Sequence, residues 1–185
     1  IGDRNLIEGN TITDMGQDPI IMGGTNVVVR NNLIQGMNCT WTVCDANHHL
    51  DGMQTSGFTL SYSLLEGNVV RDCTDPTGNC HFFLVRNVNT ISPAADTIIG
   101  RYNYGYNLEE GGFQFGGATD STPNGHAYNN TFAWESILPE NGHSIGFTNA
   151  PNGVAINNIL YNTGAGWWSP TYGNAVGNYN LAFSS

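Results

Sequence analysis

The chain contains no lysine: its five basic residues are Arg4, Arg30, Arg71, Arg86 and Arg101, set against 15 Asp plus Glu for a formal charge of −10. A surface that negative repels phosphate backbones, which argues against nucleic acid as a partner. Charged residues make up only 11% of the chain, too few for a coiled coil or a long solvated helix. No run approaches the ~18 apolar residues of a membrane helix, so no membrane span is expected. Zinc-finger spacing is lacking too. Cys39, Cys44, Cys73 and Cys80 lie in GMNCTWTVC and RDCTDPTGNC, without C-x2-C pairs or histidines at finger spacing.

Disulfides are the better reading of those cysteines, and they imply an oxidising, extracellular or cell-surface location. Local pairing (39–44, 73–80) and cross pairing (39–73, 44–80) both fit. No initiator Met or signal sequence is present, which reads as a processed chain or a domain of a longer one. What the chain has in abundance is Gly, 24 residues, and Asn, 25 of 185. Both are poor helix formers that accept left-handed turns. With 39% hydrophobic residues the composition is too apolar for disorder. It describes one turn-rich, all-β domain over 1–185.

One pattern recurs along the chain: NLIEGNTIT, NVVVRNNLIQ, YSLLEGNVVR, TIIGRYNYGY, GHAYNNTFA, GVAINNILY and AVGNYNLAF. Its asparagines are Asn10, Asn32, Asn68, Asn103, Asn130, Asn158 and Asn180, spaced 22, 36, 35, 27, 28 and 22 residues apart. Such repeats point to a solenoid, here of about seven rungs. At ~4.8 Å per strand the stack is roughly 30 Å long. The asparagines are expected to form a ladder at a bend, each amide bonded to its neighbours above and below. Four residues before each stand Leu6, Val28, Leu64, Ile99, His126, Val154 and Val176, read as an inward row. Two before stand Glu8, Arg30, Glu66 and Arg101, alternating in sign as in-register stacking favours. A second strand unit aligns Met22, Met53, Phe83, Phe113 and Ile145 in one apolar column and Thr55, Val85, Phe115 and Phe147 in another. Gln54, Leu84, Gln114 and Gly146, between them, should face solvent.

The N-x-I/V rhythm and the segment HHLDGMQTSG resemble the right-handed parallel β-helix proteins of the pectate-lyase-like superfamily. Residues 49–54 match a phrase close to H-x-D-G-I-Q in that family, with Met53 for Ile. The resemblance implies a right-handed coil. It also implies a function among proteins that cleave, epimerise or bind acidic and neutral polysaccharides, or serve as tailspikes, adhesins or surface proteins. Fold alone does not select among these.

Candidate chemistry gathers at the corner before the second strand unit. Asp51, His81, Gly111 and His143 fall in register there, with Glu109 and Glu110 beside Gly111 and His49 two residues before Asp51. An acid, an imidazole and a carboxylate on adjacent rungs suit general acid–base work on a sugar. The competing reading is that Asp51 stabilises its turn by bonding backbone N–H groups. Asp51, His81, Arg86 and Glu110 are thus the catalytic candidates, and His49, Gln54, Gln114 and His143 the substrate-binding ones. Arg71 and Arg86 are the cations left over from the charge ladder. Some lyases of the resembling family use Arg as base, others Lys, which this chain lacks. Asp51 and Glu110, two rungs apart, would suit an inverting hydrolase. Calcium could sit among Asp72, Asp75, Glu109, Glu110 and Asp120. Trp41, Tyr62, Phe82, Tyr102, Tyr106, Trp134, Trp167, Trp168 and Tyr172 read as rings on loops and outer faces where sugars could stack.

The expected function is therefore an exported β-helix that acts on or binds polysaccharide, lyase-like before hydrolase-like. The alternative is a non-catalytic structural or adhesive module that stacks end to end through its exposed terminal rungs.

Overall fold

The computed structural model describes residues 2–38, 50–56, 60–74, 80–86, 97–108, 111–116, 124–133, 143–147, 152–161, 169–170 and 176–183. Regular structure among them is entirely β-strand, and the strand pairings are parallel. A leading sheet holds seven strands: Leu6–Glu8, Val28–Arg30, Ser63–Glu66, Thr97–Arg101, Asn124–Tyr128, Val154–Ile156 and Val176–Asn178. A trailing sheet holds seven more: Thr11–Thr13, Leu33–Asn38, Val69–Thr74, Tyr104–Tyr106, Thr131–Ala133, Ile159–Tyr161 and Leu181–Phe183. The third sheet has six: Ile20–Ile21, Met53–Ser56, His81–Arg86, Gly111–Phe115, His143–Phe147 and Ser169–Pro170. A short sheet joins Gly2–Asp3, Gly24–Thr25 and Leu60–Ser61. Within each sheet the strands stack in chain order, so the chain visits the leading, trailing and third sheets in the same sequence on every pass.

Strand alternation decides which residues enter the core. Val29, Leu65, Ala127 and Ala155, three residues before their ladder asparagines, are buried, as are Ile34, Val70, Phe132 and Leu160, two residues after. The expected inward row is corrected by this. Leu6 and Val176 are exposed, and Val28, Leu64, Ile99, His126 and Val154 are only half-buried. The reason is parity. Residues four and two before the asparagine share a face, and the two-before positions carry Glu8, Arg30, Glu66 and Arg101, so the aliphatic row lies outside with the charges. Those charges pair two by two. Arg30 grips Glu8 through Nε and Nη2 at 2.8 and 2.9 Å, and Arg101 grips Glu66 at 3.1 and 2.7 Å.

The ladder asparagines link in unbroken order. Each Nδ2 from Asn10 to Asn158 donates to Oδ1 of the next asparagine at 2.9–3.1 Å. Each backbone N–H donates to the same oxygen, also at 2.9–3.1 Å. The second Nδ2 hydrogen reaches back to a leading-strand carbonyl of the previous pass, from Ile7 to Ala155, at 2.8–3.0 Å. The bend itself belongs to the preceding residue. Gly9, Asn31, Gly67, Tyr102, Asn129, Asn157 and Tyr179 all have φ between 53 and 69°, the left-handed region. That turn interrupts the strand ladder, and the asparagine side chain supplies the missing donors and acceptor.

In the third sheet, Met53, Phe83, Phe113 and Ile145 pair in one column and Thr55 with Val85, Phe115 with Phe147 in the next, as expected. The first strand differs: Ile20, not Met22, lies opposite Met53. A shift of two keeps the face, so Ile20 and Met22 are both buried. Phe115 stacks on Phe113 and Phe147 with centroids 5.4 Å apart. Phe82, expected on an outer surface, instead enters the core, 5.2 Å from the Phe113 centroid and 5.6 Å from Phe132. It can do so because the strand's first residues lie at the corner, between sheets. Of the two cysteine pairings, the local Cys73–Cys80 disulfide forms, with Cα atoms 6.3 Å apart. Cys39 and Cys44 lie outside the described residues.

Candidate functional site

The register of the third sheet places His81 opposite Gly111 and Gly111 opposite His143. Extending the Met53–Phe83 and Ile20–Met53 pairs by two residues adds Asp51 and Asp18 to the same column. Asp18 was hidden from the sequence reading by the two-residue misplacement of Met22. With Ile20 in its observed register, the DP step before it falls directly on Asp51.

This column works by handing each carboxylate to the next pass. Asp18 Oδ1 accepts from the Asp51 backbone N–H at 2.7 Å, and Asp51 Oδ1 accepts from the His81 backbone N–H at 3.2 Å. Asp51 Oδ1 also lies 2.9 Å from His81 Nδ1. Asp51 is fully buried and His81 nearly so. Asp51 therefore satisfies the following strand rather than its own turn. Its Oδ2 is buried with no hydrogen-bond partner among the described residues, as is Gln54 Oε1.

Three of the four positions expected to face solvent are buried instead. Gln54 and Leu84 are each 7% exposed and Gly146 is buried, while Gln114 is half-buried. Gln54 donates through Nε2 to Asp18 Oδ2. Leu84 pairs between Gln54 and Gln114, and Gln114 donates to the Gly116 carbonyl at 3.0 Å. The Gln114 side chain lies over Gly146, where a Cβ would collide with it. Alternation alone does not show that side chains fold over this face.

Of the remaining candidates, His143 shares the corner column by backbone register, opposite Gly111, while Arg86 lies opposite Ser56 at the far end of its strand. His49 and Glu110 lie outside the described residues. Arg71 sits on the trailing sheet, bonded to Gln35 Oε1 at 3.0 and 2.6 Å and 3.7 Å from Asp72. Asp72 also accepts from Asn107 Nδ2 at 3.3 Å. Asp75, Glu109 and Asp120, the other calcium candidates, are outside the described residues, and among those described no three metal-ligating side chains converge.

A second surface carries the exposed rings. On the outer face of the trailing sheet, Arg71, Tyr106, Ala133, Tyr161 and Phe183 form one column. Val69, Tyr104, Thr131, Ile159 and Leu181 form its neighbour. Tyr104 is 40% exposed, Tyr161 47% and Phe183 48%. The Tyr104 and Tyr106 rings are parallel within 6°, with centroids 6.3 Å apart. Of the rings in this strip, only Tyr106 is among those expected from the sequence to lie on an outer face. The signal was available: odd positions after a ladder asparagine point outward once Ile34, Val70, Phe132 and Leu160 point in. Tyr62 and Tyr102 are exposed at left-handed corners, and the Arg101 guanidinium stands 5.9 Å over the Tyr102 ring. Trp41, Trp134, Trp167, Trp168 and Tyr172 lie outside the described residues. A cavity of about 390 Å³ opens at the first pass, lined by Ile7, Asn10, Thr11, Ile12, Pro19, Ile20 and Ile21. Among the described residues no helix is long and apolar enough to cross a membrane. No family model, curated protein or solved structure matches the chain.

Proposed function

We propose that this protein is an exported, right-handed parallel β-helix that binds polysaccharide along the outer face of its trailing sheet. The observation that carries the binding reading is the strip of Tyr104, Tyr106, Tyr161 and Phe183, rings held at fixed strand spacings on a rigid sheet. Flat, half-exposed rings bury apolar area at low entropic cost, which suits the C–H faces of sugar rings. The coil is supported by the repeated order of the three sheets and the unbroken asparagine ladder, and its hand by the right-handedness of parallel crossover connections. Export accords with the Cys73–Cys80 disulfide. A formal charge of −10 favours an uncharged glycan over a polyuronate.

The test is affinity electrophoresis against neutral and uronate polysaccharides. Tyr104→Ala and Tyr161→Ala should each weaken retention about tenfold, ~1.4 kcal/mol, while the melting temperature stays within a few degrees. Unchanged retention in both variants would remove the strip from the account.

A second reading, polysaccharide lyase chemistry at Asp51 and His81, draws on one observation: an imidazole held by a buried carboxylate whose other oxygen has no partner among the described residues. There Asp51 would orient His81 through Nδ1 for proton exchange at Nε2, with Arg86 and Glu110 as the further catalytic groups. New unsaturated ends absorbing in the ultraviolet, lost in His81→Gln, would establish it. Their absence on every uronate polymer would leave binding alone.

A further inference from the structure

The outer face of the leading sheet carries a feature that glycan binding does not use. Glu8, Arg30, Glu66 and Arg101 pair residue to residue on four successive strands, giving the order minus, plus, minus, plus along the stack. Beside them on the same face runs a row of Leu6, Val28, Leu64 and Ile99, with Leu6 exposed and the others half-buried. This is an aliphatic stripe flanked by charges that are themselves half-exposed.

An alternating row of four charges is self-complementary under one operation. A two-fold axis parallel to the strands, passing between the second and third of them, inverts the stack while keeping each column opposite itself. Glu8 of one copy then faces Arg101 of the other, and Arg30 faces Glu66, at all four levels. The aliphatic row matches as well: Leu6 meets Ile99 and Val28 meets Leu64. Rotation about the stack axis instead sets Glu8 on Glu8 and Arg30 on Arg30, like on like. Each guanidinium has five N–H donors, so the bonds to its own chain's glutamate leave capacity for a second carboxylate. We propose that two copies of this chain associate side by side and antiparallel through the leading-sheet face, as an isologous dimer. Four strands span only ~20 Å, less than a standard interface offers, so the dimer is weak, with Kd on the order of micromolar.

Two charge swaps separate contacts between copies from those within one. Glu8→Arg with Arg30→Glu keeps both ion pairs within the chain but sets like charge on like at every level between copies. Arg30→Glu with Glu66→Arg does the reverse, breaking both internal pairs and keeping every contact between copies opposite in sign. In sedimentation equilibrium the wild type should self-associate, less so at high salt. The first swap should weaken the dimer at least tenfold, and the second should leave it within about threefold of wild type. Leu6→Glu, at an exposed site where folding is not at stake, should also dissociate it. A wild type monomeric to millimolar concentration overturns the proposal. So does dissociation that follows the internal pairs, or a dimer that no substitution touches.

Discussion

At the residue scale, the ladder asparagines are worth more than their size suggests, because each serves several neighbours. Removing the Asn68 side chain strips an acceptor from the backbone and side-chain donors of Asn32 and a donor from the Val29 carbonyl. These groups are buried, and an unsatisfied buried group costs roughly 1–3 kcal/mol. Asn68→Ala should therefore destabilise the fold by about 3 kcal/mol or more in urea unfolding. Asn10→Ala, at an exposed end of the row, should cost less than ~1 kcal/mol by the same accounting. Equal losses at the two positions would contradict a cooperative ladder. Gly100 illustrates a different constraint. A Cβ there would run into the Phe113 ring, so Gly100→Ala should cost ~1–3 kcal/mol by overpacking. His126 is a third case. It sits in the outer aliphatic row between Ile99 and Val154, and burial holds its imidazole below the ordinary 6.5. Its contribution to stability is complete above pH 6.5 and declines as pH falls through the lowered value. His126→Val should flatten that part of the urea-midpoint curve, and an unchanged slope would assign the acid sensitivity elsewhere.

At the element scale, each strand is only a few residues long, so a one-residue step changes its face and a two-residue step changes its partner. The asparagine repeat and the Met53–Phe83–Phe113–Ile145 register were readable because identical or apolar residues recur at fixed offsets. The face of the leading strands was readable in principle and misread. Charges two residues before the asparagine demand that residues four before it also face out, yet Leu6, Val28 and Leu64 looked like core because they are aliphatic. The outer cover of Gln54 was not readable, since Asp18 reaches it from another pass. Asp51 and His81 were placed together correctly, but burial of the pair depends on packing no single strand encodes. The Glu8–Arg30 pair gives an element-scale prediction. The Arg30 hydrogen bond holds the Glu8 carboxyl below its ordinary value. The pair's contribution is thus present above the unfolded carboxylate pKa and lost as pH falls through the lowered one. In Arg30→Gln the Glu8 carboxyl should titrate closer to its ordinary value by NMR, and no movement would mean the pair is not maintained in solution.

At the scale of the whole molecule, the first and last strands of each sheet pair on one side only among the described residues, and the cohesion of the stack comes from contacts repeated between passes. The Cys73–Cys80 link spans a separation of seven residues and ties a trailing strand to the next third-sheet strand. Closing so short a loop stabilises by about 2–3 kcal/mol in the chain-entropy picture. Reduction should lower the urea midpoint without dissolving the stack. The aromatic strip, the charge row and the Asp18–Asp51–His81 column are all consequences of one register repeated along the chain. That register is most directly tested through hydrogen exchange of the asparagine side-chain amides, followed by NMR. Carboxamide protons of Asn32, Asn68, Asn103, Asn130 and Asn158, all buried, should exchange only with global unfolding, while those of Asn10 and Asn180 exchange sooner. Rapid exchange at the five buried positions, at the rate of an exposed amide, would contradict the ladder and the stacking it organises.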